Sequence, residues 1–142
     1  MSDVLEQARA NVLNRLAQFE AAAFRFGQQV RAVLDDLPAG LPVPHTIAPA
    51  FRDGYSGTGE LVPGADSKLQ LVFTVQDDVD SAEAVVAWAR HFGTTVEQSP
   101  YPDGALFIGA RGSHGGLEIL ATGIASSEQL AAALEQLAGG DE

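Results

Sequence analysis

The feature that most constrains this chain is a regularly apolar stretch of more than thirty residues, free of proline, that ends at "LPAGLPVPH", Leu37 to His45. Three prolines within seven positions (Pro38, Pro42 and Pro44) remove backbone donors and force extended conformations, so no helix passes through this connector. Upstream, Asp3 is placed to cap a helix, with Glu6 three residues later as its capping-box partner. The spacing predicts one helix from Asp3 to Asp36, interrupted in composition only by Gly27.

Its apolar positions are Leu5, Val12, Leu16, Phe19, Ala23, Phe26, Val30, Val33 and Leu37. From Val12 onward the intervals alternate four and three, the a/d pattern of a coiled-coil seam. Arg9 is the charged intruder on that seam, and Leu13, Phe24 and Leu34 widen the stripe on one side. Two readings stand: the helix lies along its own domain, or it pairs with another helix. At about 1.5 Å per residue it spans roughly 50 Å, longer than the rest of the chain would be wide. Part of it is therefore expected to project or find a partner.

The remainder divides into a connector at 38–67 and a domain at 68–142, after the helix at 1–37. Within the connector, "TIAPAF" reads as a short strand that Pro49 confines to a sheet edge. "RDGYSGTGELVPGAD" reads as a mobile surface loop. Its "GYSGTGE" lacks the strand–loop–helix setting and the Lys-Ser/Thr pair of a nucleotide-binding loop. In the domain, "LQLVFTV" alternates as a strand. A helix follows, capped by Asp80, burying Val85, Trp88, Ala89 and Phe92 and ending at Gly93. "TTVEQS", "ALFIGAR" and "GLEILATG" are three further strands, the last two joined by "GSHGG", with His114 exposed at the tip. Ser126 and Gln129 open a final helix that buries Leu130, Ala133, Leu134 and Leu137 and stops at Gly139-Gly140. The fold class is α+β: a long helix, then a small mixed sheet backed by helices.

Strand periodicity places Leu117, Ile119 and Ala121 on one face and Glu118, Leu120 and Thr122 on the other. Gln70, Val72 and Thr74 likewise oppose the large apolar face of their own strand. Gln70, Thr74, Glu118 and Thr122 thus make a candidate ligand face, with an ordinary solvated sheet face as the alternative.

The segments "LQLVFTVQDDVDSAEAVVAWARHFG" and "PDGALFIGARGSHGGLEIL" together resemble a single βαβββ module of the vicinal oxygen chelate superfamily, the glyoxalase and bleomycin-resistance fold. The resemblance covers residues 69–121. In that family the first strand often holds a His or Gln metal ligand and the last strand a Glu, and Gln70 and Glu118 fall near those positions. The family builds its cupped sheet from two modules, so the resemblance implies that a dimer supplies the second.

No other pattern supplies chemistry. The three histidines, His45, His91 and His114, have no metal-binding spacing. There is no nucleophile-elbow motif to support a serine triad, and the pairs Asp35/Asp36 and Asp77/Asp78 fit helix boundaries. Cysteine is absent, which excludes disulfides, thiolate metal sites and cysteine nucleophiles. The net charge of −11, with Lys68 the single lysine, repels phosphate backbones, so direct nucleic-acid binding is not expected. The absence of a signal-like or membrane-spanning run makes the cytoplasm, or a phage particle assembled there, the expected location. Arginine-over-lysine, alanine-rich usage fits a high-GC bacterial genome such as an actinobacterial one, or its phage.

The expected function is non-catalytic: protein–protein interaction or assembly as a homo-oligomer, or with another helical protein, with no cofactor. Leu5, Val12, Leu16, Phe19, Phe26, Val30 and Val33 are the expected association residues. The alternatives are a vicinal-oxygen-chelate-like small-molecule or metal-binding dimer using Gln70 and Glu118, and an acidic decoy for a nucleic-acid-binding protein.

Overall fold

The computed structural model describes residues 2–73 and 81–139, with side-chain burial for 3–73 and 81–136. Thr74 and the capping Asp80 lie outside the described residues, as does the burial of Leu137. The architecture is α+β. Helix α1 runs Ser2–Asp35, one residue earlier at each end than the sequence pattern predicts. Asp3 therefore sits inside the first turn, where its charge still favours the helix N-terminus.

Strand β1, Thr46–Ala50, is followed by two short strands, β2 (Gly54–Tyr55) and β3 (Leu61–Val62), and then β4, Lys68–Val72. Helix α2 is Ser81–Phe92 and strand β5 is Glu97–Pro100. The long hairpin strands β6 (Leu106–His114) and β7 (Leu117–Ala125) precede helix α3, Ser127–Gly139. The main sheet has the order β1-β4-β7-β6-β5. Strands β4 and β7 are parallel, as a helical crossover through α2 requires, and every other pair is antiparallel.

The edge position expected for "TIAPAF" is where β1 lies, with Pro49 opposite Leu69. The loop reading of 52–66 misses a small hairpin formed by β2 and β3. Ser56 closes that hairpin: its Oγ accepts from the Glu60 backbone N–H at 3.1 Å and lies 2.9 Å from Thr58 Oγ1. The "GYSGTGE" segment is thus strand β2 and the turn that follows it, held by Ser56.

One sheet face is the core. Leu69, Leu71, Phe73, Ile108, Ala110, Leu117, Ile119, Ala121 and Ala125 are buried against α2, α3 and the end of α1. Helix α2 buries Ser81, Ala82, Ala84, Val85, Val86, Trp88 and Ala89, more than the single stripe expected. It is covered on two sides, by the sheet and by α3. Phe92 is only half-buried, but its ring occupies the space a Cβ at Gly112 would need. Helix α3 opens as its sequence implies: the Ser126 backbone N–H donates to Gln129 Oε1 at 2.9 Å, and the Gln129 N–H donates to Ser126 Oγ at 3.1 Å. Leu130 and Ala133 are buried there, whereas Leu134 is 46% exposed, contrary to the sequence expectation. Helix α3 packs on α2, and Leu134 lies off its buried side.

The long helix divides in two. Ala22 and Val33 are buried, and Phe26, Val30 and Leu37 pack against the core. Phe26 packs against Phe51 with the rings tilted by 58° and 5.6 Å between their centres, and Gln29 Nε2 donates to the Gly115 carbonyl at 3.1 Å. Every side chain from Asp3 to Gln18, by contrast, is exposed. The connector is not a separate region: β1 belongs to the main sheet, and Trp88 Nε1 donates to the Pro42 carbonyl at 3.0 Å.

Candidate functional site

Three surfaces carry side chains that could act on something outside the chain. The first is the exposed half of α1. Val4, Leu5, Val12, Leu13 and Leu16 are between 51% and 76% exposed, and Phe24 is 69% exposed on the far side of the docked half. Several large apolar side chains this exposed on one helix are more than the scattered singles of an ordinary surface. Of the expected association residues, Leu5, Val12 and Leu16 lie on this surface and Phe19 is half-buried at its border. Val33 is buried in the chain's own core, and Phe26 and Val30 are half-buried against it. The buried heptad partner at the midpoint is Ala22, not the seam residue Ala23, which is exposed.

The second surface is the sheet face away from the helices. The register puts Lys68 beside Glu118, Gln70 beside Leu120 and Val72 beside Thr122. Across β6, Glu118 faces Ser113, Leu120 faces Arg111, and Thr122 faces Gly109. Gln70, Glu118 and Thr122 do share one face, as periodicity requires, with Gln70 and Glu118 diagonal neighbours. Thr122, however, is buried at 3% exposure, so it is part of the fold and not a free ligand donor.

Arg111 dominates this face and is absent from the sequence-derived candidates. Its Nε donates to Glu97 Oε2 and its Nη1 to Glu118 Oε1, both at 3.0 Å. The two carboxylates, Glu97 foremost, raise its pKa above the ordinary arginine value. Glu118 is therefore already bound by a guanidinium, and a metal ion at the Gln70/Glu118 position would have to displace it. Among the described residues no three His, Asp or Glu side chains converge as a metal cluster. A shallow depression of about 240 Å³ is lined by Ser99, Phe107, Gly109 and Leu120 together with Glu97 and Arg111.

The third surface is a cleft of about 430 Å³ between the end of α1 and the end of α2. Val33, Leu37, Trp88, Phe92 and Ile119 give it apolar walls, with Asp36, His91 and His114 among its lining. His114 is not at a turn tip. Strand β6 continues to it, and the turn is Gly115-Gly116 alone, both with positive φ (56° and 85°), which only glycine adopts freely. His114 Nε2 lies 3.1 Å from Asp36 Oδ2 and so ties the hairpin to the helix end, while its Nδ1 is buried with no hydrogen-bond partner among the described residues. No sequence signal links positions 36 and 114, because only the tertiary docking of α1 brings them together.

Compared with protein-family models, with the curated proteins and with the solved structures, the chain matches none. What defines it is therefore its own architecture: an α+β domain carried on the docked half of a helix whose other half is bare. Among the described residues no helix is long and apolar enough to cross a membrane.

Proposed function

We propose that this protein is an assembly module that self-associates through the projecting half of α1, the α+β domain riding on the docked half. The observation that carries this reading is the run from Asp3 to Gln18, exposed at every position yet bearing Val4, Leu5, Val12, Leu13 and Leu16. An isolated helical segment of this length is marginal in water, so packing against a partner is the natural source of its stability. Fully burying a large apolar side chain contributes about 1.5–3 kcal/mol. At half that burial, the four leucine and valine side chains Leu5, Val12, Leu13 and Leu16, counted on both copies, contribute roughly 6–12 kcal/mol. Association itself costs about 4–15 kcal/mol. The two are comparable, so the expected association is reversible and concentration-dependent.

Sedimentation equilibrium of the full chain tests this. The expected result is a mass that rises with concentration from the 14.8 kDa protomer toward a multiple of it. A mass that stays at one protomer up to high micromolar concentration contradicts the reading.

A second reading, small-molecule binding by the α+β domain, is favoured by the cleft beside His114 and its Nδ1, which is buried and has no partner among the described residues. It differs from the vicinal-oxygen-chelate expectation in using the helix-covered side of the sheet and not Gln70 and Glu118. In addition, β1 occupies the outer edge of β4, so a second module joining this sheet edge to edge would meet β1 or β5. A fragment screen by thermal shift, repeated on His114→Ala, checks it: hits whose stabilisation disappears in the variant support the cleft, and identical shifts in both proteins count against it.

A further inference from the structure

Resting on the self-association reading, we infer that two copies pair antiparallel, with residue i of one helix against residue 29 − i of the other, Arg9 meeting Glu20 of the second copy. One line of exposed positions along α1 is Leu5, Arg9, Leu13, Leu16, Glu20 and Phe24. Its intervals are four, four, three, four and four. The line therefore reads the same in both directions about a point between Asn14 and Arg15.

An isologous pair with its two-fold axis at that point sets Leu13 against Leu16, Leu5 against Phe24, and Arg9 against Glu20, each contact occurring twice. Every apolar side chain on the line then meets an apolar one, and every charge meets its opposite. Leu5, Leu13, Leu16 and Phe24 are 73%, 53%, 51% and 69% exposed. Arg9 and Glu20 are both exposed, and neither has an ion-pair or hydrogen-bond partner among the described residues. The intruder on the seam thus acquires a purpose in this register.

A parallel pair would instead set Arg9 against Arg9 and Glu20 against Glu20, repelling at both layers. It would also bring the two α+β domains to the same end, whereas the antiparallel pair carries them at opposite ends. The overlap from Ser2 to Gly27 is roughly 39 Å at about 1.5 Å per residue. It uses a line of side chains distinct from Ala22, Phe26 and Val33, which hold α1 to its own domain.

Because the chain has no cysteine, single thiols report the register cleanly. Full-length Leu5→Cys and Phe24→Cys proteins are prepared separately, then each alone and an equimolar mixture are treated with a short bismaleimide. Covalent dimers in the mixture, and in neither protein alone, are the expected result. Dimers formed by Leu5→Cys alone overturn the proposal in favour of parallel pairing. No crosslink in any sample, with sedimentation still showing a dimer, overturns the register but leaves self-association intact. A monomeric wild type overturns both.

Charge reversal supplies an independent check. Arg9→Glu or Glu20→Arg alone is expected to weaken dimerisation about tenfold, and the double reversal to restore it. A double variant no tighter than either single one overturns the Arg9–Glu20 contact.

Discussion

Gly112 shows how a single residue without a side chain decides local packing. It lies in β6 opposite Ile119, and the Phe92 ring fills the space its Cβ would take, itself in ring contact with Trp88 and His91. Gly112→Val is expected to destabilise the fold by about 1–3 kcal/mol through overpacking, measured as a lowered urea midpoint with unchanged slope. A wild-type midpoint would mean that Phe92 swings out at no cost. Such contacts are illegible in the sequence, where the glycine reads only as a turn former. The same holds for Arg111, an unremarkable strand residue until the register of three strands places it between Glu97 and Glu118. Period-two alternation does put Glu118 and Gln70 on a common face, because side-chain direction is a local property of a strand. What the alternation cannot convey is which neighbour each side chain meets.

At the scale of elements, the cap of α3 was readable and docking was not. The Ser126–Gln129 box forms as its spacing implies, since both partners sit within one helical turn. Ser126→Ala is accordingly expected to cost about 1 kcal/mol of stability, read from chemical denaturation, with Ser126→Asp retaining most of it. An equal loss in both variants would show that the hydroxyl does something other than cap. The heptad of α1 was equally plain in the sequence, but a continuous stripe does not say where its cover ends. The structure divides it near Phe19: Phe26, Val30 and Val33 belong to the domain, and Leu5, Val12 and Leu16 do not. Phe26 is for that reason a poor place to test association, because replacing it disrupts the contact with Phe51 and the fold with it.

The whole molecule is asymmetric in what it covers. Helix α2 and the docked end of α1 lie on one face of the sheet, with α3 packed on α2, while the other face carries Gln70, Leu120, Phe107 and the Arg111 ion pairs. The α+β class follows from element order and composition, but this one-sidedness depends on strand order, which places β4 between β1 and β7. Exposed ion pairs of this kind add little to stability; the one helix bearing several large exposed apolar side chains among the described residues is α1, with Val4, Leu5, Val12, Leu13, Leu16 and Phe24.

The most direct measurement is the solution mass, by light scattering across a concentration series, of the wild type beside Leu13→Asp, Leu16→Asp. Both positions are more than half exposed, so the variant should keep the wild-type fold of its α+β domain by near-ultraviolet circular dichroism. The account predicts a concentration-dependent dimer for the wild type and a protomer for the variant. A variant that retains the wild-type mass, or a wild type that never exceeds one protomer, contradicts it.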